Sequence, residues 1–168
     1  ESITAVDMNM LLQNVLSDLE VGLQEKNAVV HVAQLPVIEG NVTNFQQLFQ
    51  NLLTNAIKFS NPERQLEINI TYQVLKGKEL SVVKENRWDE EFCRISIEDN
   101  GIGFDQAYAE RIFLIFQRLH GVSEYSGTGI GLAICKKIVD SHHGYIMAYG
   151  YPLKGAAFVI ILPLKQKR

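Results

Sequence analysis

Apolar residues recur along the chain with two alternating periods, and the switches between them outline the elements. Met8, Leu11, Leu12, Val15 and Leu19 fall three or four apart. That spacing predicts a helix with one apolar face, capped by Asp7 and fading near Glu25-Lys26-Asn27. From Ala28 to Ala33 apolar and polar residues alternate around His31, predicting a strand that Leu35-Pro36 closes; His31 reads as a surface strand residue. Phe45, Leu48, Phe49, Leu52, Leu53, Ala56 and Ile57 restore the helical period, with Thr43 or Asn44 as cap and Ser60-Asn61-Pro62 as stop. Leu66, Ile68, Ile70, Tyr72 and Val74 alternate as a half-buried strand, followed by a turn at Lys76-Gly77-Lys78. Lys84 to Glu91 is charge-rich and reads as a solvated loop, in which Trp88 either meets a partner or packs over the sheet edge. Phe92 to Glu98 is a second strand, and Ala107 to Leu114 has helical potential. Gly131 to His142 carries Leu132, Ile134, Cys135, Ile138 and Val139 at helical spacing. Tyr145 to Tyr149 and Ala157 to Leu162 read as the last two strands, joined by a turn at Pro152 to Gly155. Helices mixed with hairpin-connected strands predict helices layered on one face of a sheet.

Composition narrows the class. With 168 residues, 46% hydrophobic and 21% charged, the chain suits one globular domain, residues 1–168, with a real core. A formal net charge of −3 gives no footprint for nucleic acid, and the basic tail Lys165-Gln166-Lys167-Arg168 reads as a solvated terminus. No apolar run reaches the roughly 18 residues of a membrane span, and the start does not read as a signal peptide. No direct membrane contact is therefore expected of this domain. The two cysteines, Cys93 and Cys135, lack metal-ligand spacing and read as buried free thiols in a reducing, cytoplasmic setting.

Two glycine clusters carry the candidate chemistry: Asp99-Asn100-Gly101-Ile102-Gly103 and Gly127-Thr128-Gly129-Ile130-Gly131-Leu132. Glycines at alternate positions let backbone approach a ligand closely. Asp99 ends a strand, where a carboxylate can accept from an exocyclic amine and so select adenine; an Asp-Asn-Gly turn is also a common structural turn. The second cluster opens a helix whose N-terminal amides suit anions. It lacks the Gly-Lys-Ser/Thr ending of a P-loop, and the first cluster lacks the third glycine of the dinucleotide pattern. On the helix over 44–59, Asn51, Asn55 and Lys58 share a face. They form either a polar solvent stripe or a site where an amide oxygen meets Mg²⁺ and an amine meets phosphate.

In order, Asn51/Asn55, Asp99 to Gly103, Ile112-Phe113-Leu114-Ile115-Phe116-Gln117-Arg118 and Gly127 to Leu132 resemble the N, G1, F and G2 boxes of the catalytic ATP-binding domain of sensor histidine kinases. Residues 51–60 and 127–139 follow the family pattern nearly residue for residue, and Gly155-Ala156-Ala157-Phe158 through Leu162-Pro163 resembles its final strand. The resemblance implies a Bergerat-type two-layer α/β sandwich with a mixed, mostly antiparallel sheet, and ATP with Mg²⁺ as ligands. By it, Asn55 would be the principal metal ligand, with Asn51 in support. Lys58 would contact the phosphates, and Phe59 would pack on the nucleoside. Asp99 would read the adenine amine, with Gly101 and Gly103 allowing close approach. Residues 104–126 would form a lid that Phe113 and Phe116 anchor to a core. Arg118 would reach the γ-phosphate. Gly127, Thr128, Gly129, Gly131 and Leu132 would close over the triphosphate.

Asn51, Lys58 and Arg118 would serve transfer by positioning and charge neutralisation, which is most of what phosphoryl transfer needs. The acceptor in the family is a histidine followed by an acid, on a separate dimerisation domain. None of His31, His120, His142 or His143 is followed by Asp or Glu, so the acceptor block is expected outside this chain. Alone, the chain is expected to bind ATP without phosphorylating itself. The implied partners are that acceptor domain and the receiver domain of a response regulator, in a parent protein either cytoplasmic or membrane-anchored. Departures are His143, where the family usually has glycine, and the long segment between Lys76 and Glu91. Related ATPases tend to place Glu at the position of Asn51 as base for water, and Asn cannot take that proton. Two alternatives to transfer remain: hydrolysis of ATP, or a nucleotide-binding module that has lost transfer.

Overall fold

A computed structural model of the protein describes residues 2–114 and 131–167. The described elements run β1 (Thr4–Asp7), α1 (Met8–Asp18), α2 (Glu20–Glu25), β2 (Val29–Val32), β3 (Val37–Gly40), α3 (Val42–Lys58), β4 (Glu67–Lys76), β5 (Glu91–Asp99), α4 (Gly131–Ser141), β6 (Tyr145–Tyr151) and β7 (Gly155–Pro163). Five strands form one sheet in the order β2-β4-β5-β7-β6. Only its β2–β4 pair is parallel; the pairs β4–β5, β5–β7 and β6–β7 are antiparallel. The parallel pair is joined by a crossover through β3 and α3, as a parallel connection requires. This is the two-layer, mostly antiparallel α/β sandwich expected.

The period-two pattern decides which face the helices cover. Ile68 and Ile70 of β4, Cys93, Ile95 and Ile97 of β5, and Phe158, Ile160 and Leu162 of β7 all point to the helix layer. There they join Leu48, Phe49, Leu52 and Leu53 of α3 and Cys135, Ile138 and Val139 of α4 in one core. Removing one of these side chains to alanine costs about 2–5 kcal/mol in cores of this kind. Burial pushes both thiols, Cys93 and Cys135, up to about 12, so they stay protonated fillers.

Several local readings change. Thr4–Asp7 and Val37–Gly40 pair antiparallel as a separate two-stranded ribbon. The first helix breaks at Leu19 into α1 and α2. The cap of α3 is Asn41, not Thr43 or Asn44: its side chain accepts from the Asn44 N–H at 2.9 Å, so the helix starts at Val42. Residues 107–114 give two 3₁₀ turns, Gln106–Tyr108 and Arg111–Phe113, in place of an α-helix. The tail is only partly solvated: Leu164 O accepts from the Glu39 N–H at 2.9 Å, and the Gln166 N–H donates to Glu39 Oε1 at 2.8 Å. His31 sits on β2 as expected, its side chain 60% exposed and 3.8 Å from Glu67.

The stretch read as a solvated loop, Lys84 to Glu91, holds no buried residue, but the residues just before it dock on the sheet face opposite the helices. Leu80 and Val83 bury against Phe92 and Ile161 in a second apolar cluster. Arg87 locks it there. Its Nε donates to Glu90 at 2.8 Å, Nη1 to the Tyr145 hydroxyl at 3.1 Å and Nη2 to the His143 carbonyl at 2.9 Å. Its guanidinium also lies 4.9 Å from the Phe92 ring centroid. Trp88 turns back on the same segment, donating to Val83 O at 3.2 Å.

Three backbone runs meet at the end of β5 with no room for side chains. A Cβ at Gly101 would lie 2.3 Å from the Phe59 carbonyl oxygen. One at Gly103, whose φ is +67°, would lie 2.2 Å from Tyr151 O. The Ile102 N–H donates to Phe59 O at 2.9 Å, and the Leu153 N–H to Ile102 O at 2.7 Å. These glycines therefore serve contact between protein backbones first, a reason different from the ligand approach read in the sequence.

The end of α4 is a helix-stop motif: the His143 N–H returns to Asp140 O and the Gly144 N–H to Val139 O, each at 3.0 Å. His143 sits there at φ 61°, the left-handed region that glycine occupies without penalty. Before it, His142 is buried; its Nδ1 lies 2.8 Å from Ile138 O, and its Nε2 accepts from the Asn41 N–H at 3.1 Å. That assigns the Nδ1–H tautomer and ties the end of α4 to the start of α3.

His143→Gly is expected to raise the unfolding free energy by about 1 kcal/mol, read from urea midpoints, because the left-handed penalty disappears. Gly103→Ala is expected to lower it by at least ~2 kcal/mol without nucleotide. An unchanged midpoint with weakened nucleotide binding would instead assign that glycine to the ligand.

Candidate nucleotide site

α3 reaches the site because its apolar face is anchored along its length, leaving the half-buried Asn51 and Asn55 and the exposed Lys58 on another side. β5 delivers Asp99 from the adjacent strand position. A cleft between them is lined by Asn55, Phe59, Asp99, Gly103, Phe104, Ala156 and Phe158.

The acid on its floor is tightly placed. Asp99 Oδ1 accepts from the Gly101 N–H at 2.9 Å, and the Ala156 N–H also donates to the carboxylate. Burial nevertheless pushes the carboxyl up to about 6, the two N–H groups only partly opposing it. The carboxylate is thus a half-buried acceptor with two backbone donors, set in a largely apolar cleft. Phe104 packs tilted and Phe113 edge-on against Phe158, with ring centroids 6.4 and 6.3 Å from its own, an aromatic cluster behind the cleft wall.

The residues expected to act together divide into groups. Asn55, Phe59, Asp99 and Gly103 share the cleft. Gly101 lies behind it, against Phe59 O. Asn51 is engaged elsewhere: its Nδ2 donates to Gly131 O at 3.2 Å, joining α3 to the first residue of α4. Lys58 stands exposed in the last turn of α3. Gly131 meets no described atom within 4 Å of an added Cβ, and Leu132 packs against the core. Arg118, Gly127, Thr128, Gly129 and Phe116 lie outside the described residues, as does the expected lid from residue 115 on. Phe113 is buried against Phe158.

Sequence reading missed Phe104, Ala156 and Phe158 as cleft walls. The final strand's Gly155 to Phe158 pattern was the available signal. It also missed Arg64 and Asn100. The Asn100 side chain accepts from the Glu67 N–H at 2.8 Å and donates to Gln65 O at 2.9 Å, tying the turn to the start of β4. Among the described residues no group of three or more His, Cys, Asp or Glu could hold a metal. The donor set fits an ion held by one amide oxygen, Asn55, with phosphates and waters completing the shell, as Mg²⁺ prefers. No described helix is long and apolar enough to cross a membrane.

Comparison with known proteins agrees with this geometry. The family described as histidine kinase-, DNA gyrase B- and HSP90-like ATPase matches residues 40–166. The chain is 35% identical over 162 residues to the phytochrome-like protein Cph1 of Synechocystis sp., covering 96% of this chain and 20% of that protein. It is 39% identical over 158 residues to cyanobacterial phytochrome A of Nostoc sp., covering 94% and 19%. The sensor protein kinase WalK of Staphylococcus epidermidis is 29% identical over 161 residues, covering 94% and 24%. The chain thus spans about a fifth of the length of these relatives. Full-length ShkA, solved with AMPPNP, superposes with a TM-score of 0.77 at 25% identity, over 99% of this chain and 32% of that one. The nucleotide-free catalytic domain of histidine kinase ThkA gives 0.74 at 24% identity over 98% and 99%, a likeness of fold. With the family matched across the core, both cleft walls and the final strand, the chain belongs to the histidine kinase-, DNA gyrase B- and HSP90-like ATPases, as a catalytic ATP-binding domain of the sensor histidine kinase kind.

Proposed function

We propose that this domain binds ATP with Mg²⁺ and presents the γ-phosphate to a histidine on a separate dimerisation and phosphoacceptor domain. A response-regulator receiver domain would be the next acceptor in the relay. The observation that carries the reading is Asp99, half-buried beside Asn55 and Phe59 at the end of β5, with desolvation pushing its carboxyl up despite two backbone donors. An adenine amine would add a further donor to that carboxylate. Phe59 packs on the nucleoside, and Asn55 offers its amide oxygen to the metal. Lys58, in the last turn of α3, neutralises phosphate charge. Arg118 and Gly127, Thr128 and Gly129 are assigned to the triphosphate from their sequence positions alone. Bound Mg²⁺ would offset the charge that develops on the phosphates during transfer. The chain's own part is orientation: one acid fixes the base and one amide fixes the metal, so the γ-phosphate faces outward. In the transfer, the bond from the γ-phosphorus to the ADP oxygen breaks and one to the acceptor imidazole nitrogen forms.

Hydrolysis is the competing reading. Asn51 opposes it: its amide is engaged with Gly131 O and cannot take a proton from water. Steady release of inorganic phosphate without an acceptor domain would favour hydrolysis. Label appearing on a histidine of a supplied acceptor domain supports transfer.

Asn55→Ala and Asp99→Asn are each expected to weaken Mg-ATP binding about tenfold or more by calorimetry. Undiminished binding in both overturns the site assignment. Because Asp99 titrates near 6, ATP affinity is expected to fall about tenfold from pH 7 to pH 5. Asp99→Asn, measured in parallel, should lack this slope. The same raised value means that Asp99 lowers the stability of the nucleotide-free domain as pH rises from 3.8 through about 6.

A further inference from the structure

Arg64 follows the turn that ends α3 and has no place in the cleft itself. The turn is set locally: Asn61 Oδ1 accepts from the Glu63 N–H at 2.9 Å, and Asn61 O accepts from the Arg64 N–H at 3.2 Å. From there the guanidinium reaches three backbone carbonyls. Nε donates to Asn100 O at 2.7 Å, and Nη2 donates to Gly101 O at 3.1 Å and to Leu153 O. Two of those carbonyls belong to the Asp99–Gly103 turn and the third to the turn joining β6 to β7.

Carbonyl oxygens that converge repel one another unless a cation lies among them. A planar guanidinium with several N–H groups in a fixed fork meets that need better than the point charge of lysine. The second turn is itself constrained: Leu153 sits at φ 63°, a left-handed conformation costly for leucine, and Gly155 leaves no room for a Cβ beside Asp99 O. Gly101 is the link to chemistry. Its N–H holds Asp99 Oδ1 at 2.9 Å while its C=O is held by Arg64.

We infer that Arg64 is a positioning residue for base recognition, fixing through Gly101 the orientation in which Asp99 distinguishes a 6-amino purine from a 6-oxo purine. This rests on the adenine reading of the cleft given above. The test compares Kd values for Mg-ATP and Mg-ITP in the parent chain, Arg64→Ala and Arg64→Lys. In the parent chain ATP binds more tightly than ITP. In Arg64→Ala the ATP affinity is expected to fall about tenfold while that for ITP changes by less than about twofold, so discrimination collapses. Arg64→Lys, which keeps the charge but not the fork, is expected to lose part of the preference.

An ATP/ITP ratio unchanged in Arg64→Ala overturns the inference. That holds whether both affinities persist or both fall together, since a purely structural role would lower them equally. If Arg64→Ala shows no cooperative unfolding transition, Arg64→Lys decides, and an unchanged ratio there overturns it. A parent chain with no preference for ATP over ITP overturns the cleft reading, and this inference with it. Loss confined to the variants leaves the cleft reading standing.

Discussion

The site depends on the contact of three backbone segments at the end of β5. The C-terminal end of α3, the Asp99–Gly103 turn and the β6–β7 turn approach until Phe59 O, Tyr151 O and Asp99 O occupy the space that Cβ atoms at Gly101, Gly103 and Gly155 would need. Side chains longer than hydrogen would force these segments apart. The hydrogen bonds from Ile102 to Phe59 and from Leu153 to Ile102 then hold them in one register. Because the segments carry Asn55 and Phe59, Asp99, and Ala156 and Phe158 respectively, the cleft is assembled by the contact that packs the protein. The rest of the fold supplies rigid supports: α3 is clamped at its start by Asn41 and His142, and at its middle by Asn51 and Gly131.

The electrostatics of Asp99 set function against stability. A carboxylate at an exposed strand end would be well solvated and indifferent to a neutral amine. Half-buried among Phe104, Ala156 and Phe158, it loses water and keeps two backbone donors, so its ionised form is disfavoured. Under the proposed function, selectivity would come from this desolvated acceptor, at a cost in stability that the empty domain carries. No covalent nucleophile is needed among the cleft residues for phosphoryl transfer, which calls for placement and charge neutralisation.

The helices with strong periodicity and the central strands were legible because their apolar spacing answers to a single large core. α3 and β7 contribute face after face of buried residues to it. β1 and β3 were not, since four residues each carry little pattern and their pairing joins positions far apart in sequence. The docking of the long segment between Lys76 and Glu91 was not legible for another reason. Its charges are real, but Leu80 and Val83 among them bury against a second sheet face, and Arg87 is satisfied by partners from β6 and from the end of α4. Asp99 and Asn55 were legible as candidates through residue type and order, and Phe59 through the family resemblance; the three line one cleft. Arg64 was not, because the groups it holds are backbone carbonyls, which every residue has.

By itself the sequence determined the helix and strand periods, the acid at the end of β5, the amides on α3 and the glycines that permit close approach. Local chemistry suffices for these: side-chain type and spacing state what a segment can bury or bind. The tertiary structure alone decided which backbone each glycine must admit, how far Asp99 is desolvated, that Asn51 ties α3 to α4, and that Arg64 bridges two turns. These depend on distances between segments remote along the chain, and burial, hydrogen-bond geometry and the shift of a pKa exist only once those segments meet.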